Sequence, residues 1–210
     1  MAGKGERKRK APDPDLQPRH EHVGRELTIP YDGLYRHMRS FFKDLERAEE
    51  EYRQEVKAIR EKLGVPAFYT ETRDVERYSL AVQVFAAFTI EALISFYAVL
   101  RFGGQNYDKY FTEGGAANRL QRALEQAGIA VADDAEILCV VRRVMKGRHP
   151  IVHPFTVEYS GTDQATIQSP DRPGPDESAA GARKAVADVD RFLELLREAD
   201  PPHGHFFIVP

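Results

Sequence analysis

The chain has one cysteine, Cys139, in 210 residues. No internal disulfide can form, and the composition fits a reducing, cytoplasmic compartment better than an oxidising one. Cys139 sits in an apolar stretch of helical period, which suits a buried, inert thiol. Zinc-type clusters of Cys and His are absent, and the His-x-His pairs at His20/His22 and His203/His205 have no cysteine beside them. Net charge is −3, so the folded body is no basic nucleic-acid clamp by bulk charge. The basic start is not expected to act as a secretory signal. Lys4, Arg7, Lys8, Arg9 and Lys10 open the chain, but polar, proline-rich sequence over 11–18 follows where an apolar run would be needed. There is no internal repeat. At this length the chain suits one domain with tails, large enough to stabilise its own core.

Residues 1–28 have few apolar groups and many charges and prolines, and read as a disordered basic arm. The basic block, Lys8 and Arg9 included, could tether RNA or direct nuclear entry. Short basic runs are more often solvated tails. From residue 31 to 63 the period becomes helical. Leu34, Met38, Phe41, Leu45, Ala48, Tyr52, Val56, Ile59 and Leu63 share one face, with a charged face opposite. Gly64 and Pro66 end that helix. At 1.5 Å per residue it would be roughly 50 Å long, enough to protrude, to pair with a partner subunit, or to serve as one wall of the core.

The stretch between Arg77 and Arg101 contains a single charged residue, Glu91. Its length could span a bilayer. A central carboxylate there would cost about 2.5–3.5 kcal/mol, and Ser79, Gln83, Thr89 and Ser95 dilute the hydrophobicity. A helix apolar on most faces is also what the central helix of a soluble bundle looks like, so no membrane partner is expected. Placed there, Glu91 needs a charged partner or a proton.

A short helix is expected over about 115–128, and another begins at the acidic Asp133, Asp134 and Glu136 and carries Ile137, Val140, Val141 and Val144 on one stripe. Arg142, Arg143, Lys146 and Arg148 crowd its end, and Pro150 is expected to forbid an undistorted continuation. Alternation over 155–169 suggests a small β-hairpin, 170–176 a linker, and 177–199 a last helix with Ala182, Val186, Val189, Leu193 and Leu196 inward. Phe206, Phe207, Ile208 and Val209 make the C-terminal tail (201–210) apolar enough to dock. The fold class is therefore all-α: a single bundle over 29–200 of four to five helices, with a possible hairpin insertion at 155–176.

Chemistry concentrates at one place, KGRHPIVHP over 146–154. Histidine can accept and deliver protons near neutral pH, and arginine presents a charged fork to phosphate oxygens. Together they suit cleavage of a phosphodiester beside a 2′-hydroxyl. Spacing alone is weak support: roughly 0.5 chance occurrences of Arg-x4-His are expected, and the chain has one. The competing reading is a basic helix end opposing the helix dipole, followed by a proline turn.

An apolar helix with an embedded acid (FTIEALISFY, 88–97), a connecting helix, and an apolar-basic helix closing in RHPIVHP resemble the HEPN superfamily over about residues 75–198. That resemblance implies an HEPN-like bundle and a metal-independent endoribonuclease without cofactors. It implies a homodimer that brings two Arg/His motifs into one cleft, and an antiphage or toxin setting with a cognate antitoxin. Arg148 and His153 would be catalytic, with His149, Glu91 and Ser95 in support; Ser95 stands where the family often has Asn. Arg143 and Lys146, with Lys8 and Arg9 of the arm, would meet the RNA backbone. Two other readings use the same residues: a non-catalytic RNA- or nucleotide-binding module, and a helical protein-interaction module.

Overall fold

The computed structural model describes residues 30–63, 73–152, 175–204 and 206–207. Among them every regular element is a helix. The order is α1 (Pro30–Leu63), α2 (Arg73–Phe102), α3 (Gly104–Tyr110), α4 (Ala116–Gln126), α5 (Glu136–Val152), α6 (Pro175–Ala199) and α7 (Pro201–Gly204). The hairpin expected over 155–169 and the arm with Lys8 and Arg9 lie outside the described residues.

The apolar sequence of α2 makes it the centre of the bundle. It packs against α1, α6, α5, α4 and α3, while α6 also contacts α5, α1 and α7. Val82, Ala86, Ala87, Ile90, Leu93 and Tyr97 of α2 are fully buried. Each large apolar side chain removed from water contributes about 1.5–3 kcal/mol, which is what α2 gains by sitting in the middle. By length and composition α2 could cross a membrane, but half of its most apolar window is buried inside the bundle. On α1, Met38, Leu45 and Ala48 of the expected stripe are buried, as are Tyr31 and Tyr35. Past about residue 50 only Tyr52, Val56 and Ile59 are partly covered, so the far half of α1 runs beyond the close-packed region.

Among the described residues seven helices stand where four to five were expected, because two short ones carry little periodic signal. Gly103, at φ 82°, takes the left-handed conformation that closes α2, and α3 restarts at once with no buried residue of its own. Helix α7 follows α6 after Asp200 and starts on Pro201 and Pro202, residues suited to a first turn because they have no N–H to satisfy. The same logic lets α6 begin at Pro175, two residues before expected. Pro150, expected to forbid an undistorted continuation, lies inside α5, which runs on to Val152. So near the helix end, proline forfeits only the bond to the carbonyl of Lys146. The C-terminal tail docks as its composition suggests. Phe207 is buried against Tyr31, Phe96 and Tyr97, its carbonyl accepts from Arg197, and Tyr31 Oη donates to the carbonyl of Phe206 at 3.0 Å.

Candidate functional site

Glu91 sits where α2 passes α4 and α5. Its Oε1 lies 3.4 Å from Arg148 Nη1 on α5 and 3.8 Å from Arg119 Nη2 on α4. One carboxylate thus sits between two guanidiniums, and the trio keeps one surplus positive charge. Exposure is graded: Glu91 is 33 % open to water, Arg148 27 % and Arg119 14 %. The Nε of Arg119 is buried without a hydrogen-bond partner among the described residues. Residue spacing explains the local order. Phe88 and Glu91 stand three apart on α2 and share a face, and the Arg148 guanidinium carbon lies 5.8 Å from the Phe88 ring centroid.

The sequence-predicted residues divide as follows. Arg148 and Glu91 meet, although 57 residues separate them. Ser95, one turn after Glu91, donates to the Glu91 carbonyl at 2.9 Å and shares a 2.8 Å hydrogen bond with Tyr107 Oη of α3. Its hydroxyl ties α2 to α3. Arg143 is engaged elsewhere, gripping Asp188 of α6 through Nη2–Oδ1 at 2.6 Å and Nε–Oδ2 at 3.2 Å. That grip raises the Arg143 pKa further above its ordinary range. Lys146 is exposed on α5. His149 belongs to α5, and His153 lies outside the described residues.

Three participants escaped the sequence reading. Arg119 carries no local mark, since nothing in AANRLQRALEQ points to a carboxylate on another helix. For Phe88 the spacing to Glu91 was the available signal, and 39 % of the residue is exposed. His37 of α1 is exposed, with its ring 5.6 Å from Phe85, which in turn meets Phe88 edge-on at 6.4 Å.

A second polar cluster is sealed. Asp200, at 4 % side-chain exposure, accepts from Tyr97 Oη at 2.9 Å. It also faces Arg101 Nε at 3.3 Å and His203 Nδ1 at 3.0 Å. Arg101 Nη2 donates to the carbonyl of Ala127. Burial, then the Asp200 charge, push the Tyr97 hydroxyl well above its ordinary range. With no open side, this cluster reads as a clasp joining α2, α6 and α7.

An open groove of about 650 Å³ runs along the far half of α1 to Asp176. None of the Glu91 trio lines it, and of its cations Arg53, Lys57 and Arg60, the first two face Glu49, Glu50 and Glu61. Among the described residues no three of His, Cys, Asp and Glu gather as a metal site requires. What the Glu91 site can do is receive an anion. A phosphate could take over Arg148 while Arg119 keeps hold of Glu91. No family model, curated protein or solved structure matches the chain.

Proposed function

We propose that the chain is a metal-independent endoribonuclease of HEPN type, with Arg148 and His153 as its catalytic residues and Glu91 holding Arg148 in place. The observation that carries this reading is the 3.4 Å pairing of Arg148 with Glu91 across two helices. The basic residue of the Arg-x4-His motif meets the embedded acid of the apolar helix, which supports a catalytic role over a bare helix end.

In this mechanism His153 takes the proton of a 2′-hydroxyl, and the freed oxygen attacks phosphorus. The bond from phosphorus to the 5′-oxygen breaks, and that oxygen leaves with a proton from a second acid, a role His149 or the His153 of a second copy could fill. Arg148 faces the charge that builds on the phosphoryl oxygens. The products are a 2′,3′-cyclic phosphate and a 5′-hydroxyl. The setting that goes with this reading is a cytoplasmic homodimer in toxin–antitoxin or antiphage defence, restrained by a cognate antitoxin.

The test is cleavage of mixed RNA by the purified protein in EDTA, with Arg148→Ala and His153→Ala alongside. Chelator-resistant cleavage ending in cyclic phosphate and lost in both variants is the expected result. Cleavage retained in His153→Ala would overturn the assignment. Absence of cleavage, with salt-sensitive RNA binding that Arg148→Ala weakens, would favour the non-catalytic RNA-binding module instead.

A further inference from the structure

Only two large apolar side chains are conspicuously exposed among the described residues, Leu80 at 44 % and Phe88 at 39 %, both on α2. Leu80 is two turns away from Phe88. Phe88 differs. Its ring is braced by Phe85 edge-on (6.4 Å, 83°), and behind Phe85 stands Phe41 at 5.2 Å. Beside it are the guanidinium of Arg148 and, around Glu91, that of Arg119. A rigidly backed aromatic ring left in water costs apolar hydration. Next to it, two arginines share a single carboxylate, so positive charge is left over.

A flat apolar surface adjoining surplus guanidinium charge is complementary to one kind of ligand group, a planar base joined to a phosphate. At 5.8 Å from the ring centroid, Arg148 lies near the outer limit of a cation–π contact, so it can leave for a phosphate at little cost. Single-stranded RNA offers unstacked bases to such rings, whereas in a duplex the bases are already stacked on one another. The two arginines also differ in burial. Arg119, at 14 % exposure with an unpartnered Nε, is the fixed cation, and Arg148 the mobile one.

We propose that Phe88, with Arg119 and Arg148, forms a nucleobase subsite for single-stranded RNA: the base stacks on Phe88 while an adjoining phosphate is held by the two guanidiniums. This rests on the ribonuclease reading and adds the substrate form, single-stranded, together with two residues that position it.

The experiment measures binding by fluorescence anisotropy at several salt concentrations. One probe is a short labelled 2′-O-methyl oligonucleotide, which cannot be cleaved through its 2′ position, and the other is the same backbone with abasic positions. Phe88→Leu keeps apolar bulk and removes the ring. It should weaken binding to the base-bearing probe about five- to a hundredfold, leave abasic binding unchanged, and leave the salt slope unchanged. Phe88→Tyr should restore it. Arg119→Gln should weaken both probes alike and lower the salt slope by about 0.7. Equal effects of Phe88→Leu on both probes, or no effect, would overturn the subsite while leaving the RNA reading intact. A change in sedimentation with RNA binding unaltered would reassign Phe88 to contact with a second copy. Wild-type protein that binds neither probe would bring down the RNA reading itself. Helical circular dichroism and melting of each variant separate these outcomes from misfolding.

Discussion

Replacing Glu91 by glutamine removes one charge and almost no volume, and under the proposed ribonuclease function the effect has opposite signs on binding and on cleavage. At 3.4 Å the Coulomb attraction between Glu91 and Arg148 is about 1 kcal/mol in bulk water and about 5 kcal/mol at an effective dielectric of about 20. With about a third of each side chain in water, the low end applies. A phosphate that recruits Arg148 must forfeit that attraction, and Arg119 at 3.8 Å adds a smaller contribution of the same sign. Glu91→Gln abolishes the forfeit, so affinity for an uncleavable single strand should rise about five- to tenfold. Cleavage should fall, because Glu91 sets where the Arg148 guanidinium points, and misplacement by about 1 Å can cost about a hundredfold. Glu91→Asp keeps the charge but withdraws it by one methylene, and should lose cleavage without gaining affinity. Anisotropy on the uncleavable strand and single-turnover cleavage of an all-RNA strand read the two effects separately. Weaker binding by a correctly folded Glu91→Gln protein, or cleavage at the wild-type rate, would refute the claim that Glu91 both competes for Arg148 and aims it.

Two further outcomes concern the clasp. Arg101→Ala strands the buried carboxylate of Asp200 with Tyr97 and His203 alone, which should cost about 3–5 kcal/mol and lower Tm by about 6–20 °C; a loss under about 1 kcal/mol in calorimetry would show that the clasp does not hold α7. Tyr97 has its pKa raised in the fold, so the folded state keeps this proton where the unfolded chain releases it: stability is intact below pH 10 and is lost as pH rises above it, by about 1.4 kcal/mol per pH unit. Tyr97→Phe should flatten that alkaline slope in urea titrations, leaving the part carried by Tyr31 and Tyr35, whose pKa values are also raised.

What could be read from the sequence was whatever depends on neighbours along the chain. The stop at Gly64 and Pro66, the stripe on α1 and the apolar run of α2 involve contacts a few residues apart, and those elements came out within a few residues of expectation. Short helices were missed for the matching reason: α3 buries nothing, so it has no stripe to show. Pro150 left the end of α5 open, because a local rule about proline does not say how close the helix end is. Within the site, Glu91 was recognisable as a lone charge in an apolar helix, which demands a partner whatever the fold. Arg148 could be proposed as that partner because a motif marked it. Arg119 could not, since what makes it special is the packing of α4 against α2 and α5, a relation no local pattern encodes.

That packing explains why the site exists at this point in the bundle. Each of its residues borders a buried one: Glu91 follows Ile90, Arg119 precedes Leu120, and Arg148 lies one turn beyond Val144. The apolar neighbours set the helix positions, and the charged side chains at the edges of those stripes are carried to within 4 Å of each other as a consequence. The core therefore pre-organises the site, and no loop among the described residues has to close to form it. The edge position also makes the burial unequal. Arg119 lies deeper and stays with Glu91, which keeps the carboxylate aimed when Arg148 departs. Arg148, more exposed and resting loosely near Phe88, is the member free to follow a phosphate. A symmetric pair of arginines would compete equally for the carboxylate and leave neither available; the unequal pair gives one cation that holds the carboxylate while facing an incoming anion and one that can turn to it.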